Sequence, residues 1–248
     1  MEKLYGYINK NGEIVIKPQL KEAYPFIEGL ARVKKDNRYG YIDKNRKLVI
    51  PYKYDIAYDF IKGLGLAVVE SKDRKKSEYI DKKGQIVKNP KFNDELIHPE
   101  GLVAIKVGDK WGFANKLTDI VIIPEFDRAY NFSEGLAAVK ILNKWGFIDK
   151  KGKIKIKMQF DTAYPFSEGL AAVRETLKWG FIDKNGEIII EPVYDCVKNF
   201  SEGLAAVEKD GAWGYIDKKG KVVIGFNYEA ADNFGEGMAP VILRDNNE

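Results

Sequence analysis

The stretch Glu134–Gly152 reads EGLAAVKILNKWGFIDKKG, and a near copy, EGLAAVRETLKWGFIDKNG, begins 34 residues later at Glu168. Aligned on their aromatic–Gly–aromatic triplet, copies begin at Tyr5, Tyr39, Ser77, Trp111, Trp145, Trp179 and Trp213, every 34 residues except for a step of 38 into Ser77. A fixed period of this length marks a repeat architecture, in which a unit too small to bury its own apolar surface is stabilised by its neighbours. The copies leave no stretch for a second domain, so a single repeat domain over residues 1–248 is expected.

Within a copy the periodicity is that of strands. LAAVKI and WGFID are rich in β-branched and aromatic residues, IVII is a short apolar run, and DKKG and LNK between them are turn sequences. Asp149, Asp183 and Asp217 are placed to accept bonds from nearby amides, and Gly152, Gly186 and Gly220 to take a positive φ, closing hairpins. The segment PEFDRAYNFSEG is ambiguous. Phe126, Ala129 and Phe132 recur at three-residue spacing, which suits a helical turn as well as a short strand. Pro51, Pro124 and Pro192 follow apolar runs, lack an N–H and are expected to end ladder pairing there.

Composition excludes several functional classes. The chain is 45% hydrophobic and 31% charged, with 41 Lys and Arg against 37 Asp and Glu. The signs are interspersed, so no strong nucleic-acid field follows. One cysteine, Cys196, and one histidine, His98, rule out an intrachain disulfide and the usual Cys/His zinc sites. No apolar run approaches the roughly 18 residues of a membrane span, and the N-terminus has no signal-type apolar region. A complete cytoplasmic protein without metal or cofactor is the expectation.

The strings KWGFIDKKGKI from Lys144 and Phe132 followed by SEGLAAV resemble the bacterial WG-repeat family over essentially the whole chain. The resemblance implies a β-rich repeat protein acting as an interaction surface, and it supplies no catalytic residues. Tyr5 and Tyr39 depart from the pattern by replacing Trp, and the third copy reads SEY where WGF is expected.

The fold class expected is therefore all-β, built from seven short β-meanders. If each copy supplies four short strands, the chain starts with a third-and-fourth pair and ends with a first-and-second pair. The two ends then form a composite sheet, as in a small closed β-propeller-like ring, with an open β-solenoid as the alternative.

Columns that stay constant across copies serve the scaffold, and columns that vary are free of it. Trp111, Trp145, Trp179 and Trp213 read as wedges between copies, and Gly112, Gly146, Gly180 and Gly214 as sites of close backbone approach. Phe132, Phe166, Phe200 and Phe234 read as core. His98 takes the same position in the third copy and reads as a packed substitute, and Cys196, in a variable column, as inert. The repeated glutamates Glu28, Glu100, Glu134, Glu168, Glu202 and Glu236 are expected to fix their loops, and Lys62 interrupts that row.

Two groups are candidates for binding. Tyr24, Tyr58, Tyr130 and Tyr164 share a column that also holds Lys198 and Asp232, and tyrosine suits an interface. Lys72, Arg74, Lys75 and Lys76 crowd the irregular copy, where a basic loop would meet phosphate or an acidic protein. These features predict a non-catalytic scaffold for a protein partner. The alternatives are glycan binding along aromatic rows and, further off, a hydrolase using the glutamates; nucleic acid is not expected.

Overall fold

The computed structural model describes residues 3–71, 76–88, 100–115 and 119–244. Among them the chain forms 25 strands and no helix. It divides into two units, one of residues 1–92, 212–215 and 223–248, the other of residues 93–211 and 216–222.

The second unit shows the copy in full. Arg128–Ala129, Leu136–Ile141, Lys144–Asp149 and Ile154–Phe160 form a four-stranded antiparallel sheet in chain order, and Thr162–Ala163, Ala171–Glu175, Lys178–Ile182 and Ile188–Tyr194 form the next. The ambiguous segment is thus a two-residue strand, not a helical turn. Strand one passes to strand two through the Glu-Gly turn. Ser133 and Leu136 exchange both backbone hydrogen bonds, at 2.9 and 3.2 Å, around Glu134 (φ 56°) and Gly135 (φ 88°), two successive left-handed residues as in a type I′ hairpin. The third turn forms as expected, with Asp149 Oδ1 accepting from the amides of Lys151 and Lys153 at 2.9 and 3.0 Å and Gly152 at φ 80°.

The prolines correct the sequence reading. Pro51, Pro124 and Pro192 lie inside the strands Leu48–Tyr54, Ile120–Phe126 and Ile188–Tyr194. Pairing survives because the strand bulges: Trp111 pairs with Phe126 and Phe113 with Ile122, so the proline sits where no amide is needed. The bulge presses backbone onto the glycine of the triplet. A Cβ on Gly112 would stand 2.5 Å from the Ile122 carbonyl oxygen, and one on Gly180 2.4 Å from that of Ile190. Gly146 and Gly214 meet the same contact, and this is why tryptophan is followed by glycine.

The first unit holds the sheet Glu22–Ala23, Leu30–Lys35, Arg38–Asp43 and Leu48–Tyr54. It also holds the composite sheet expected from the two ends. Tyr5–Asn9 pairs antiparallel with Met238–Leu243, Tyr7 opposite Pro240, and on its other side with Ile14–Leu20. In the irregular copy Glu78 stands where glycine is usual; its strand Lys76–Asp81 pairs along its length with Leu66–Ser71, and on its other side, among the described residues, it meets one bridge, Ile80 to Ile86.

The core lies between successive sheets. Leu136, Ala138, Trp145 and Phe147 of one copy cluster with Ala163, Phe166, Ala171, Val173 and Ile182 of the next. Phe132, Phe166, Phe200 and Phe234 are all buried. No helix among the described residues is long and apolar enough to cross a membrane.

Candidate functional site

The repeated glutamates act one copy further on than expected. The turn exposes its glycine amide, and at Gly29, Gly63, Gly169 and Gly203 the glutamate of the adjoining copy accepts from it. Glu28 accepts from Gly63 at 2.7 Å, Glu134 from Gly169 at 3.0 Å, Glu168 from Gly203 at 3.0 Å and Glu236 from Gly29 at 2.8 Å. The lysine after each turn aspartate closes the arrangement, with Lys82 2.8 Å from Glu28, Lys184 3.1 Å from Glu134 and Lys44 3.0 Å from Glu236. The Lys82 ammonium, then the Gly63 amide, hold Glu28 below the usual carboxylate range. Burial alone would raise Glu168, but Lys218 and the Gly203 amide outweigh it and keep that carboxylate lowered too. Glu28 and Glu168 are thus shifted in the same direction, whereas acid–base chemistry on a glycoside uses two carboxyls in unlike environments.

Asp127 and Asp161 form a second set of links. Lys110 reaches Asp127 at 2.6 Å and Lys144 reaches Asp161 at 2.6 Å, while the hairpin-tip amides of Leu142 and Thr176 each donate at 3.0 Å.

The tryptophans are not an exposed platform. Trp145 and Trp179 are 6% exposed, Trp213 is 9% exposed, and Trp111 is half-buried. The tyrosine column covers them. Tyr130 stacks on Trp145 with centroids 5.3 Å apart, and Tyr164 on Trp179 at 4.8 Å. Tyr58 is 53% and Tyr130 39% exposed, whereas Tyr24 and Tyr164 are half-buried. Tyr24 sits under the Arg32 guanidinium, 3.5 Å from the ring centroid. Of the basic loop, Lys72, Arg74 and Lys75 lie outside the described residues, as does His98, and Lys76 opens the strand Lys76–Asp81.

Sheet register ties each tyrosine and tryptophan to a row of variable residues crossing strands one, two and three. In the first such sheet the row is Glu22, Lys34 and Tyr39. Its two counterparts in the second unit are Arg128, Lys140 and Trp145, and Thr162, Arg174 and Trp179. Glu22 is fully engaged: Lys34 Nζ lies 2.6 Å away, and the hydroxyls of Tyr39 and Tyr24 donate to it at 2.6 and 3.0 Å. Burial raises its pKa, but Lys34 and the two hydroxyls overcome this and hold it low. Arg32 binds Asp59 at 3.1 Å and the Ala57 carbonyl; burial, opposed by Arg32, leaves the Asp59 carboxyl raised.

The rows Arg128–Lys140 and Thr162–Arg174 carry cations with no such acid. Arg174 Nε is buried without a hydrogen-bond partner among the described residues, and its guanidinium lies 5.7 Å from the Trp179 ring. Sequence reasoning examined the columns singly and so missed these rows. Pairing the column of Glu22 with that of Lys34 across the hairpin would have found them. Cys196, in the Glu22 column, is half-buried and lies opposite Glu208, with its thiol pushed up by burial.

Among solved structures the chain is similar to a streptogramin B lyase, with a TM-score of 0.47 at 14% identity over 97% of this chain and 98% of that one. A similar match is virginiamycin B lyase from Staphylococcus aureus, with a TM-score of 0.47 at 13% identity over 97% and 99% of the two chains. Hsv2 of Kluyveromyces lactis gives a TM-score of 0.46 at 10% identity over 79% and 74%. No curated protein matches the chain. The model of the WG containing repeat matches seven times, at residues 5–39, 39–74, 79–111, 111–145, 145–176, 179–211 and 213–246. The glycine pressed by its bulged neighbour strand and the buried tryptophan before it are the motif of that repeat, and the chain belongs to the WG-repeat family.

Proposed function

We propose that the chain is a non-catalytic repeat scaffold that binds a protein partner through exposed tyrosines of the variable column, in a reducing compartment such as the cytoplasm. One observation carries this reading. The scaffold spends its tryptophans on burial between copies, yet leaves Tyr58 and Tyr130 exposed in a column that the repeat does not hold constant. Tyrosine buries a large area with few rotatable bonds, which favours it at protein interfaces.

The test is capture from lysate of the source organism by the tagged protein, beside a variant with Tyr58, Tyr130 and Tyr164 changed to Ser. A protein retained by the native form and lost by the variant, with the variant's melting temperature within a few degrees, supports the reading. Retention of the same protein by both forms removes the tyrosine column from the account.

A further inference from the structure

Resting on that reading, we propose that the face formed by the rows Arg128–Lys140–Trp145 and Thr162–Arg174–Trp179 takes an acidic peptide segment of the partner, a carboxylate seating at Lys140 and at Arg174.

The first sheet of the chain shows what such a row does with a carboxylate. There Glu22 fills the position opposite the basic residue and is held by Lys34, Tyr24 and Tyr39 at 2.6 to 3.0 Å. The row in that sheet is complete within the chain. In the second unit strand register is identical, with Arg174 opposite Thr162 as Lys34 is opposite Glu22, and the tyrosine and the large ring are present beside it. Only the carboxylate is missing.

Three observations point to a guest that replaces it. Arg174 Nε is a buried donor without a partner among the described residues, and an unmet buried donor costs free energy that an anionic acceptor recovers. Arg128 and Lys140 are like charges directly opposite each other, a pairing that an anion between them relieves. The acids acting on this row are already committed: Asp127 is held by Lys110 and the Leu142 amide, and Asp161 by Lys144 and the Thr176 amide. Lys106, opposite Trp111 in the preceding sheet, adds a further exposed cation in the same column. Carboxylate is favoured over phosphate as the guest because the occupant seen in the equivalent row is a carboxylate.

The probe is a short fluorescein-labelled peptide of alternating Glu and Gly, titrated with the intact chain by anisotropy, with Trp emission followed in parallel. Arg174→Gln and Lys140→Gln are each expected to weaken binding about tenfold, the loss of one charge-assisted contact. Thr162→Glu, which builds the Glu22 arrangement beside Arg174, is expected to weaken it as much by occupying the seat, with an unchanged melting temperature. Lys34→Gln, in the row already filled, leaves affinity within about twofold of native.

The proposal is overturned if the peptide does not bind, if Thr162→Glu binds as the native chain does, or if Lys34→Gln is as damaging as Arg174→Gln. A single-stranded DNA oligonucleotide bound as tightly and lost in the same variants replaces it with backbone-phosphate recognition. Failure of the peptide alongside tyrosine-dependent capture of a lysate protein removes the acidic guest and leaves the binding scaffold standing. Loss of both removes the scaffold reading beneath it.

Discussion

Glu22–Lys34–Tyr39 and Thr162–Arg174–Trp179 are the same three places in the same kind of sheet, yet one row is neutralised from within and the other is not. Their backbones agree in register, in the Glu-Gly turn and in the glycine under the bulged strand. The difference therefore lies wholly in side chains that the scaffold does not constrain. In a repeat protein, a row that fills itself in one copy identifies what the open rows of other copies lack.

The strongest way to break that comparison is to attack the backbone that both rows share. Gly40→Ala and Gly180→Ala each push a Cβ to 2.6 and 2.4 Å from the Ile50 and Ile190 carbonyl oxygens. Each is expected to cost about 3 kcal/mol or more by strain and backbone displacement, seen as a collapse of the chemical-denaturation midpoint. Equal losses confirm a common backbone. A mild effect at one site alone refutes it.

Next in size is the ring at the end of the row. Trp179→Ala is expected to cost about 3 to 5 kcal/mol, because that ring is buried. Tyr39→Ala, at a half-buried ring, should cost less by calorimetry. An equal cost would mean that the first row depends on its aromatic as much as the row ending at Trp179 does.

The filled row also predicts a pH dependence. Because the Glu22 pKa is lowered in the folded chain, its contribution to stability is present above the ordinary carboxylate pKa of about 4.3 and is lost as pH falls through the folded value. Glu22→Gln should remove roughly 0.5 kcal/mol at neutral pH, given its partial exposure, and flatten that part of the acid limb of melting temperature against pH. An unaltered acid limb would show that the ion pair contributes nothing. The same variant frees Lys34, so the acidic probe peptide should gain a third seat.

The smallest effect sharpens the contrast from outside the rows. Lys144→Ala removes an exposed ion pair to Asp161 and is expected to leave the chemical-denaturation midpoint unchanged, and a clear drop in that midpoint would show that the link between copies is stabilising.

Most of the fold was legible because it is periodic. The repeated triplet, the strand pattern and the turn aspartates announce the sheets, and the offset phase of the ends announces the pairing of Tyr5–Asn9 with Met238–Leu243. Pro124 misled because a proline after IVII resembles a strand end, and only the register of Trp111 and Phe113 reveals a bulge that carries the strand onward. Glu134 misled in distance: sequence places it in a loop, whereas its acceptor atoms serve the loop of the following copy. The tyrosine column was legible as variable. The cations beside it were not, because their significance depends on which residue stands opposite across a hairpin, and a column read alone does not contain that partner.

The glutamate that reaches forward to the next glycine amide has a consequence for how such a chain lengthens. A copy with the Glu-Gly turn carries both halves of the joint, a carboxylate to offer and an amide to receive one. A gene duplication that inserts one more period therefore delivers a segment already fitted at its leading and trailing sides, with no new complementarity to evolve.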